Sequence, residues 1–411
     1  MTGLNITFQT PKGSVDIVND EYDKLEVLSE TIRKVLKKMP DAIGMETPVF
    51  EYRNILMDKY GEEAEDKLVY NIETENEENQ LSLRYDLTVP LIRYLVENRI
   101  LKMKRYQIGK VYRKDTPSLS NGRYREFYQY DYDIIGKYPD SELEILLLIN
   151  SVLNEIKQIT NNNFTPIIRV NDINTLLKLY KKLKIPEELC AIVSTSIDKL
   201  DKYDRIYIKN ELLNKGLSDD TINLLYDNID NNWGFDITEY KNILQICSNF
   251  GLNIVWDPSL VRGLSYYTGL IYEVTILEYP ELKTVIAGGR YDDIITKYLH
   301  NPTPAIGVSF GITRLLKLFK QSPSLSSSPK VYVTTLGSIP LLDKWKLIIL
   351  LQNKGFKVYY SSGSMSEQIK YCFDNSIDLM YILGESEFSN GLVIRKILSS
   401  KTSITIPLNS L

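Results

Sequence analysis

Apolar residues recur every three to four positions in two long stretches of the chain. In the first stretch, residues 19–38, the apolar positions are Tyr22, Leu25, Leu28, Ile32 and Val35. Polar residues fill the positions between them, and this spacing predicts a long amphipathic helix. The second stretch, residues 173–244, is rich in leucine, lysine and aspartate and carries no chemical motif. We interpret it as a helical subdomain inserted into the surrounding fold.

Between and after these stretches, apolar residues occur at every second position. Several segments within residues 68–136 alternate tyrosine, valine, isoleucine and leucine with polar residues, which predicts antiparallel strands. Strand-like segments return at residues 272–277 and 285–287, and residues 311–320 have the pattern of a helix. The whole pattern predicts an α+β fold in which helices flank an antiparallel sheet.

A domain boundary is indicated by residues 321–330, QSPSLSSSPK, which are mostly serine and proline. This composition is typical of a solvated linker. We expect a first domain at residues 1–322, a linker at 323–329 and a second domain at 330–411. The second domain alternates strand, helix, strand, helix and strand over residues 331–336, 340–353, 356–360, 365–373 and 379–383. That order predicts a small α/β domain.

Charge and cysteine usage narrow the class of protein. The formal net charge of −4 argues against a wholly basic nucleic-acid binder. The second domain nevertheless carries nine basic against six acidic residues, a surplus that by itself barely favours nucleic-acid binding. Cys190, Cys247 and Cys372 lie far apart, so neither a disulfide framework nor a zinc site is indicated. Because no apolar run approaches the ~18 residues of a membrane span and the first residues resemble neither a signal nor a transit peptide, we expect a cytoplasmic protein without a membrane segment.

His300 is the only histidine in the 411 residues. Its isolation excludes Ser/His/Asp triads, Cys/His dyads, HExxH zinc sites and multi-histidine metal centres. His300 itself stands just before a turn, where we expect a solvent-exposed helix end. The chain also lacks GxxxxGK[ST] and GxGxxG. Any nucleotide must therefore be held by something other than a P-loop or a Rossmann turn.

The segment LSLRYDLTVP, residues 81–90, separates its polar and apolar side chains if it is a strand. Its polar face then carries Ser82, Arg84, Asp86 and Thr88. Taken alone, the segment fits a half-buried strand with a solvated polar face.

The segment GRYREFYQYDYDIIG, residues 122–136, favours a functional interpretation. Alternation places a charged set on one face and tyrosines on the other; the charged face holds Arg123, Arg125, Phe127, Gln129, Asp131 and Asp133. A solvated strand needs no lone phenylalanine among arginines and carboxylates. A nucleotide site, in contrast, needs a ring to stack on adenine and arginines to neutralise phosphates.

Upstream, RYQIGKVYR at residues 105–113 predicts the partner strand, and KDTPSLSN at residues 114–121 is a polar loop that contains a proline. Together these segments predict a long hairpin. We expect its two strands to bring Arg113, Arg123 and Arg125 to one place.

Three further segments combine arginine with small or aromatic residues. In LVRGLSYYTGLIYEV, Arg262 is followed by a glycine and by the pair Tyr266 and Tyr267. In AGGRYDD, two glycines allow close backbone packing beside Tyr291. In AIGVSFGITRLLKL, Arg314 falls near the start of a predicted helix, which suits either a bound anion or a structural salt bridge.

These segments together resemble the histidyl-tRNA synthetases, which are class II enzymes, and look most like their eukaryotic cytosolic form. TPVFEY at residues 47–52 is similar to the end of motif 1, residues 111–136 to motif 2, and AIGVSFGITRL at residues 305–315 to motif 3. LSLRYDLTVP, LVRGLSYYTG and AGGRYDD are in combination characteristic of the histidine-specific members. The resemblance covers nearly the whole chain.

The resemblance implies a role for each candidate site residue. It implies that Asp86, Thr88 and Gln129 hold the amino group of L-histidine and that Asp133 and Tyr267 read its imidazole, with Tyr291 nearby. For ATP it implies phosphate contacts by Arg113, Arg123 and Arg314 and stacking of adenine on Phe127. Arg262 matches the catalytic arginine of the family, and Mg²⁺ is expected between the outer phosphates of ATP.

The resemblance also implies assembly and partners. It implies an α/β domain at residues 330–411 that binds the anticodon of tRNA(His), and a homodimer formed through motif 1. Two positions depart from the family pattern: Ser265 and Thr313 stand where acidic residues are usual. The main alternative is a synthetase-like regulatory protein, such as the regulatory subunit of ATP phosphoribosyltransferase. The retained arginines and the second domain argue against that alternative.

Overall fold

The computed structural model describes residues 8–60, 69–73, 80–114, 116–200, 203–231, 237–261, 266–319 and 329–411. The chain divides into two compact units, residues 1–323 and residues 324–411. Among the described residues, no helix is long and apolar enough to cross a membrane.

The first unit is built on an eight-stranded sheet with the order β1-β5-β6-β11-β10-β9-β7-β8. Its strands are β1 (Ala42–Met45), β5 (Met103–Tyr112), β6 (Glu126–Ile135), β7 (Pro166–Asp172), β8 (Ile254–Trp256), β9 (Leu270–Ile276), β10 (Ile286–Arg290) and β11 (Ala305–Gly311). The inner pairs are antiparallel, and only the outermost pairs, β1 with β5 and β7 with β8, are parallel. A smaller sheet contains β2 (Phe50–Tyr52), β3 (Asn71–Ile72) and β4 (Leu81–Leu83). The predicted antiparallel sheet flanked by helices is confirmed.

Four helices in the described part of the first unit precede the predicted insertion. They are α1 (Asn19–Leu36), α2 (Arg53–Tyr60), α3 (Thr88–Glu97) and α4 (Ser141–Thr160). The predicted first helix is confirmed, and its buried residues include Leu25, Leu28 and Ile32. Tyr132, on the tyrosine face of β6, donates a hydrogen bond of 2.6 Å to Glu144 of α4. The tyrosine face of β6 is therefore turned toward the helices, which leaves the charged face for the site.

The predicted helical insertion is confirmed and extends five residues beyond its predicted end. It contains α5 (Ile173–Lys182), α6 (Glu187–Ile197), α7 (Arg205–Asn214), α8 (Asp219–Asn231) and α9 (Lys241–Asn249). The first four of these helices share a buried apolar core that includes Leu179, Ile208 and Leu225. Asp172 begins the insertion, because its carboxylate accepts the backbone N–H of Thr175 and so caps α5.

The prediction of one strand over residues 81–90 is wrong. Strand β4 stops at Leu83, and helix α3 begins at Thr88. Asp86 explains the change, because its Oδ1 accepts the backbone N–H groups of Thr88 and Val89 at 3.1 and 2.9 Å and so satisfies donors at the start of the helix. Pro90 suits the first helical turn, where its missing N–H has no partner to lose.

The end of the first unit also differs in detail from its predicted form. Helix α10 (Asp292–Leu299) precedes β11. His300 follows α10 in an exposed position, which confirms its placement at a helix end. The helix predicted for residues 311–320 is short: α11 (Ile312–Leu315) runs directly into a 3-10 turn at Leu316–Phe319.

The second unit is a five-stranded sheet with the order β13-β12-β14-β15-β16. Its elements are β12 (Lys330–Leu336), α12 (Leu341–Asn353), β13 (Lys357–Tyr359), α13 (Met365–Asp374), β14 (Leu379–Gly384), α14 (Glu385–Ser389), β15 (Leu392–Ile397) and β16 (Thr402–Pro407). The five predicted elements are confirmed to within one residue at each end. The antiparallel pair β15 and β16 was not predicted.

Candidate active site

Three rows of side chains cross one face of the first sheet. The pairing register aligns Arg105 with Asp133, and Asp133 with Gly307. Glycine is required in that row because a Cβ on Gly307 would lie 2.1 Å from Asp133 Oδ1. The next rows align Gln107 with Asp131 and Ser309, and Gly109 with Gln129 and Gly311. Polar side chains from β5 and β6 therefore meet a floor made largely of glycine and serine.

Asp133 lies at the centre of a buried polar cluster. Arg105 Nη2 lies 2.9 Å from Asp133 Oδ2, and the exposed fractions of the two side chains are 0% and 4%. The hydroxyl of Tyr291 donates to Asp133 Oδ1. Burial, followed by the charge of Asp133, raises the pKa of Tyr291 well above its ordinary value, so the hydroxyl remains a donor at neutral pH. Arg105 also donates to the carbonyl oxygen of Leu87 at 3.0 Å, which ties the cluster to the start of α3.

Three tyrosine rings line this cluster. Tyr266 stacks on Tyr291 with ring centroids 5.5 Å apart and meets Tyr267 edge-on at 4.6 Å. Tyr267 fits against Gly289, where a Cβ would come within 2.8 Å of its ring. The side chain of Tyr266 also hydrogen-bonds Thr88. The candidate residues Asp133, Thr88, Tyr267 and Tyr291 are thus gathered in one place.

Gln129 and Asp131 share a hydrogen-bonded serine. Gln129 Nε2 donates to Ser309 Oγ at 2.8 Å, and the Ser309 side chain hydrogen-bonds Asp131. Because an ionised carboxylate can only accept, Ser309 donates its proton to Asp131 and accepts from Gln129. Burial raises the pKa of Asp131 to about 7; the nearby charges of Asp133 and Asp86 act in the same direction, while Arg105 and the Ser309 bond oppose them.

Arg113 and Phe127 lie together at the open end of the hairpin. The guanidinium of Arg113 lies 4.4 Å from the ring centre of Tyr85 and 5.1 Å from that of Phe127. Its Nε also donates to the carbonyl oxygen of Tyr85 at 3.2 Å. Phe127 is on the same face of β6 as Gln129, because alternate residues of a strand share a face. A planar ring and a cation therefore stand beside the Asp133 cluster on one surface.

Arg314 connects the hairpin loop to the floor of the sheet. Its Nε donates to the carbonyl oxygen of Gly122 at 3.4 Å, and its Nη1 donates to that of Thr284. Gly122 has a φ of +66°, and a Cβ there would lie 2.8 Å from Arg314 Cγ. Lys317 holds the same loop by donating to the carbonyl oxygens of Leu119 and Ser120 at 2.8 and 2.7 Å. The positively charged side chains of Arg314 and Lys317 therefore donate hydrogen bonds to backbone carbonyl oxygens.

The strand predicted within residues 122–136 begins later in the structure than expected. Arg123 and Arg125 precede β6, which begins at Glu126. Arg123 is exposed, and its backbone pairs with Ser118 in an isolated bridge. The side chain of Arg125 packs against Gly13, and its backbone N–H donates to the Gly13 carbonyl at 2.7 Å. The backbone N–H of Arg113 donates to the Arg125 carbonyl oxygen at 2.8 Å, so the hairpin pairing continues to Arg125, whereas Arg123 pairs with Ser118 of the loop.

Arg262 and Ser265 lie outside the described residues. Thr313, the other departure from the family pattern, is half-buried in α11. Sequence reasoning missed Arg105 and Ser309. The pairing of the hairpin is the signal that could have identified Arg105. The backbone N–H of Arg113 donates to the Arg125 carbonyl oxygen at 2.8 Å, and counting away from the loop along both strands from that pair places Arg105 opposite Asp133.

A metal site built only from protein side chains is not present in the described part of the chain. No group of three histidine, cysteine, aspartate or glutamate side chains there could hold an ion. The three cysteines are free thiols.

Comparison with known proteins places this geometry in a family context. The family model for histidyl-tRNA synthetase matches residues 16–315. The mitochondrial histidine–tRNA ligase of Bos taurus is 32% identical over 98% of this chain and 86% of its own length. A probable cytoplasmic histidine–tRNA ligase of Vairimorpha ceranae is 34% identical over 94% of this chain and 95% of its own length. The crystal structure of histidyl-tRNA synthetase from Nostoc sp. PCC 7120 superimposes with a TM-score of 0.79 at 22% identity, covering 98% of both chains.

Proposed function

The chain belongs to the histidyl-tRNA synthetase family, and we propose that its site performs the ATP-dependent ligation of L-histidine to tRNA(His). The reaction passes through a histidyl-adenylate and releases AMP and diphosphate. The observation that supports this specificity most directly is the buried Asp133 carboxylate held by Arg105 and Tyr291. An imidazole ring carries an N–H donor that such a fixed acceptor recognises.

The histidine end of the site is proposed to lie between β6, α3 and the tyrosine layer. Asp133 accepts from one imidazole nitrogen, and the Tyr267 hydroxyl reaches the other, with Tyr291 fixing the carboxylate. Asp86, Thr88 and Gln129 hold the α-amino group. A side chain that lacked two polar nitrogens would leave buried polar groups unpaired, which is penalised strongly enough to exclude most other amino acids.

The nucleotide end is proposed to lie over Phe127 and Arg113. Phe127 offers its ring to adenine, while Arg113, Arg123 and Arg314 neutralise the phosphates. Arg123 is exposed in the hairpin loop and therefore has the freedom to reach a phosphate tail. Arg314 exchanges carbonyl oxygens for phosphate oxygens when ATP is bound, a stronger charge-assisted interaction.

Both chemical steps move negative charge onto oxygen. In the first, a carboxylate oxygen of histidine attacks the α-phosphorus and diphosphate leaves. Fixed guanidinium groups stabilise the charge that builds in this transition state, and Arg262 is proposed to act at the α-phosphate. In the second, the terminal ribose hydroxyl of the tRNA attacks the aminoacyl carbonyl, and the phosphate of the adenylate accepts the proton. No histidine side chain is needed as a base.

Mg²⁺ is proposed to enter with ATP. The described residues provide no all-protein cage for an ion. Mg²⁺ characteristically keeps several waters and binds through substrate phosphates with few protein ligands. When bound, it neutralises part of the charge on the outer phosphates. The arginines described above act on the remaining charge.

The partners and assembly follow from the same proposal. Residues 1–322, with the insertion at residues 173–244, form the class II catalytic domain; residues 323–329 are the linker and residues 330–411 bind the anticodon. A homodimer through motif 1 is proposed, and the apolar side chains of Ile43 and Phe50 are exposed in and near that segment. Sedimentation that shows a fully active monomer would refute the dimer. A cytoplasmic location is also proposed, and imaging of the tagged protein in its own cell tests it.

ATP–diphosphate exchange measured with each amino acid tests the activity. We expect exchange with L-histidine only, since the adenylate forms without tRNA. Arg262→Ala is expected to reduce the exchange rate by roughly 10²–10³-fold, because it removes a donor used in the transition state. Exchange with an amino acid other than histidine would refute the specificity. Full activity of Arg262→Ala would refute the assigned mechanism. A synthetase-like regulatory protein would show no exchange at all.

A further inference from the structure

Thr268 stands directly after the tyrosine pair of the site and is held through all three of its polar groups. Its backbone N–H donates to the carbonyl oxygen of Arg290 at 2.8 Å. Its hydroxyl oxygen accepts the backbone N–H of Asp292 at 2.9 Å. Its carbonyl oxygen accepts a hydrogen bond from Asn174 Nδ2 at 2.8 Å. One half-buried threonine therefore joins the segment of Tyr267 to two other parts of the chain.

The first two of these bonds bracket Tyr291. Arg290 and Asp292 are its neighbours in sequence, so Thr268 binds the backbone on both sides of it. The backbone N–H of Tyr291 itself donates to the carbonyl oxygen of Ala305 at 2.7 Å. Asp292 Oδ1 in turn accepts the backbone N–H of Ala305 at 2.8 Å. The backbone that carries Tyr291 is thus fixed between the start of β11 and the segment of Thr268.

The hydroxyl of Thr268 also caps helix α10. This helix begins at Asp292, and Tyr291 occupies the position before it, where a short polar side chain usually accepts an N–H of the first turn. The Tyr291 side chain does not cap the helix, because its hydroxyl is turned toward Asp133 and donates to it. Thr268 accepts the N–H of Asp292 instead. A residue from another segment thus supplies the acceptor that Tyr291 does not provide.

Tyr267 is held from the other direction by the start of the helical insertion. Its ring packs against a buried apolar cluster that includes Ile173, the first residue of α5. The backbone N–H of Ile173 donates to the carbonyl oxygen of Gly269 at 3.1 Å. Asn174, the next residue of α5, makes the bond to the Thr268 carbonyl oxygen. The first turn of the insertion therefore fixes the backbone on which Tyr267 is carried.

We propose that Thr268 is a positioning residue for the imidazole pocket: it sets the separation of Tyr267 and Tyr291, and Asn174 of the insertion holds it in place. This inference rests on the proposed function, in which Tyr267 and Asp133 contact the ring and Tyr291 fixes Asp133. A ring bound between two fixed groups tolerates little change in their separation, because hydrogen bonds weaken steeply as their geometry departs from the optimum. Thr268 acts through the two tyrosines and not by contact with the substrate.

The test is the effect of Thr268→Val on the two KM values in ATP–diphosphate exchange by the full chain. Valine keeps the branched shape and removes the oxygen that accepts from Asp292. We expect the KM for histidine to rise by roughly 3–30-fold, because a partly buried N–H loses its partner and the tyrosines lose their fixed separation. The KM for ATP should stay within about twofold and kcat within about threefold. A normal histidine KM, or an equal rise in both KM values, would overturn the proposal.

Two further variants separate positioning from a general loss of stability. Thr268→Ser restores the acceptor and is expected to return the KM for histidine to within about twofold of the wild-type value. Thr296→Val is the matched control on the same helix α10, because the Thr296 hydroxyl accepts the backbone N–H of Thr303 at 3.1 Å. It loses the same kind of bond and should keep the histidine KM within about twofold. A similar rise in Thr296→Val and Thr268→Val would show that Thr268 has no special role.

A double-mutant cycle with Tyr267→Phe determines whether Thr268 acts through that tyrosine. We expect the double variant to have a histidine KM well below the product of the two single effects, because Thr268 has less to position once the hydroxyl is absent. A KM equal to that product would contradict the proposal.

If Thr268→Val does not fold, Asn174→Ala takes its place, since Asn174 is exposed. Loss of the bond to the Thr268 carbonyl is expected to raise the histidine KM by about two- to fivefold and to leave the KM for ATP unchanged. An unchanged histidine KM in this variant would then overturn the proposal.

The two levels of inference fail separately. Wild-type protein that shows no ATP–diphosphate exchange with histidine refutes the proposed function and this inference with it. Wild-type exchange together with a normal histidine KM in Thr268→Val refutes only the role of Thr268.

Discussion

Gly307 shows how strongly a single missing side chain shapes the histidine end of the site. It lies between Asp133 and Gly289 in the first row, where a Cβ would approach Asp133 Oδ1 to 2.1 Å. Asp133 in turn is held by Arg105 and Tyr291. Any added atom must therefore displace the carboxylate from both partners.

Gly307→Ala is expected to raise the KM for histidine by roughly 10–10³-fold, because displacement of Asp133 leaves buried polar groups unpaired. Steady-state ATP–diphosphate exchange with varied histidine is the measurement. Val308→Ala, on the opposite face of the same strand, controls for general destabilisation. A normal histidine KM in Gly307→Ala would contradict the placement of Asp133 against this floor.

Asp131 makes a separate prediction about stability in the absence of substrate. Its folded-state pKa, about 7, lies above the ordinary value of 3.8, so the folded protein binds an extra proton between these values. The cost of ionising Asp131 in the fold therefore builds up as the pH rises from 3.8 to about 7, and it is fully present above that range. Asp131→Asn is expected to raise the unfolding temperature of the ligand-free protein at pH 8 by roughly 2–6 °C and to raise it by less than half as much at pH 5. Scanning calorimetry at the two pH values checks this, and an effect of equal size at both would contradict the raised pKa.

At the scale of elements, the hairpin of β5 and β6 was predictable because its alternation is unbroken. The charged face with Phe127, Gln129 and Asp133 follows directly from the strand period. The same reasoning failed for Arg123, where a 3-10 turn and an isolated bridge come before the strand. Alternation describes the side chains of a strand but gives no reliable boundary for it.

Residues 81–90 show the opposite failure. Polar and apolar residues continue to alternate into the start of helix α3, so the segment was predicted as one strand. Asp86 and Pro90 are local signals for a helix start, but the alternation was given more weight. Arg84 is buried and its guanidinium donates to the carbonyl oxygens of Lys110 and Thr47 at 2.8 Å, contacts between distant segments that no local pattern contains. The sequence offered Asp86 and Thr88 as candidates, but the elements that carry them required the tertiary structure.

The hairpin loop is joined to the 3-10 turn at Leu316–Phe319 through Lys317. Lys317→Met removes both hydrogen bonds to the loop carbonyls and leaves Arg314 as the described connection to Gly122. We expect the KM for ATP to rise about three- to tenfold, because a looser loop must be ordered when the phosphates bind. The turnover number should change less than the KM. Lys354 is an exposed lysine of the second unit, and Lys354→Met is the control. An unchanged KM for ATP in Lys317→Met would show that the hydrogen bonds from Lys317 to the loop do not contribute to ATP binding.

At the scale of the whole molecule, the two units have separate cores. The second unit has its own buried set, which includes Val333, Leu347 and Tyr381. A chain of residues 1–323 is therefore expected to fold and to retain ATP–diphosphate exchange within about threefold, while charging of tRNA(His) falls by roughly 10²-fold or more as anticodon contacts are lost. Loss of exchange in the truncated chain would indicate that the first unit does not form its site alone. Full charging would refute the anticodon role of residues 330–411.

The pairing of β6 with β11 has a consequence for folding during synthesis on the ribosome. Asp133 and Gly307 are neighbours in the sheet, yet the whole helical insertion and four further strands are synthesised between them. Until residues 305–311 emerge, β6 has a bare edge with the apolar side chains of Tyr132 and Ile134 beside it. Such an edge attracts other strands, and long-range pairing of this kind forms slowly. Chaperone capture of nascent chains should therefore be greatest for those that end between β6 and β11.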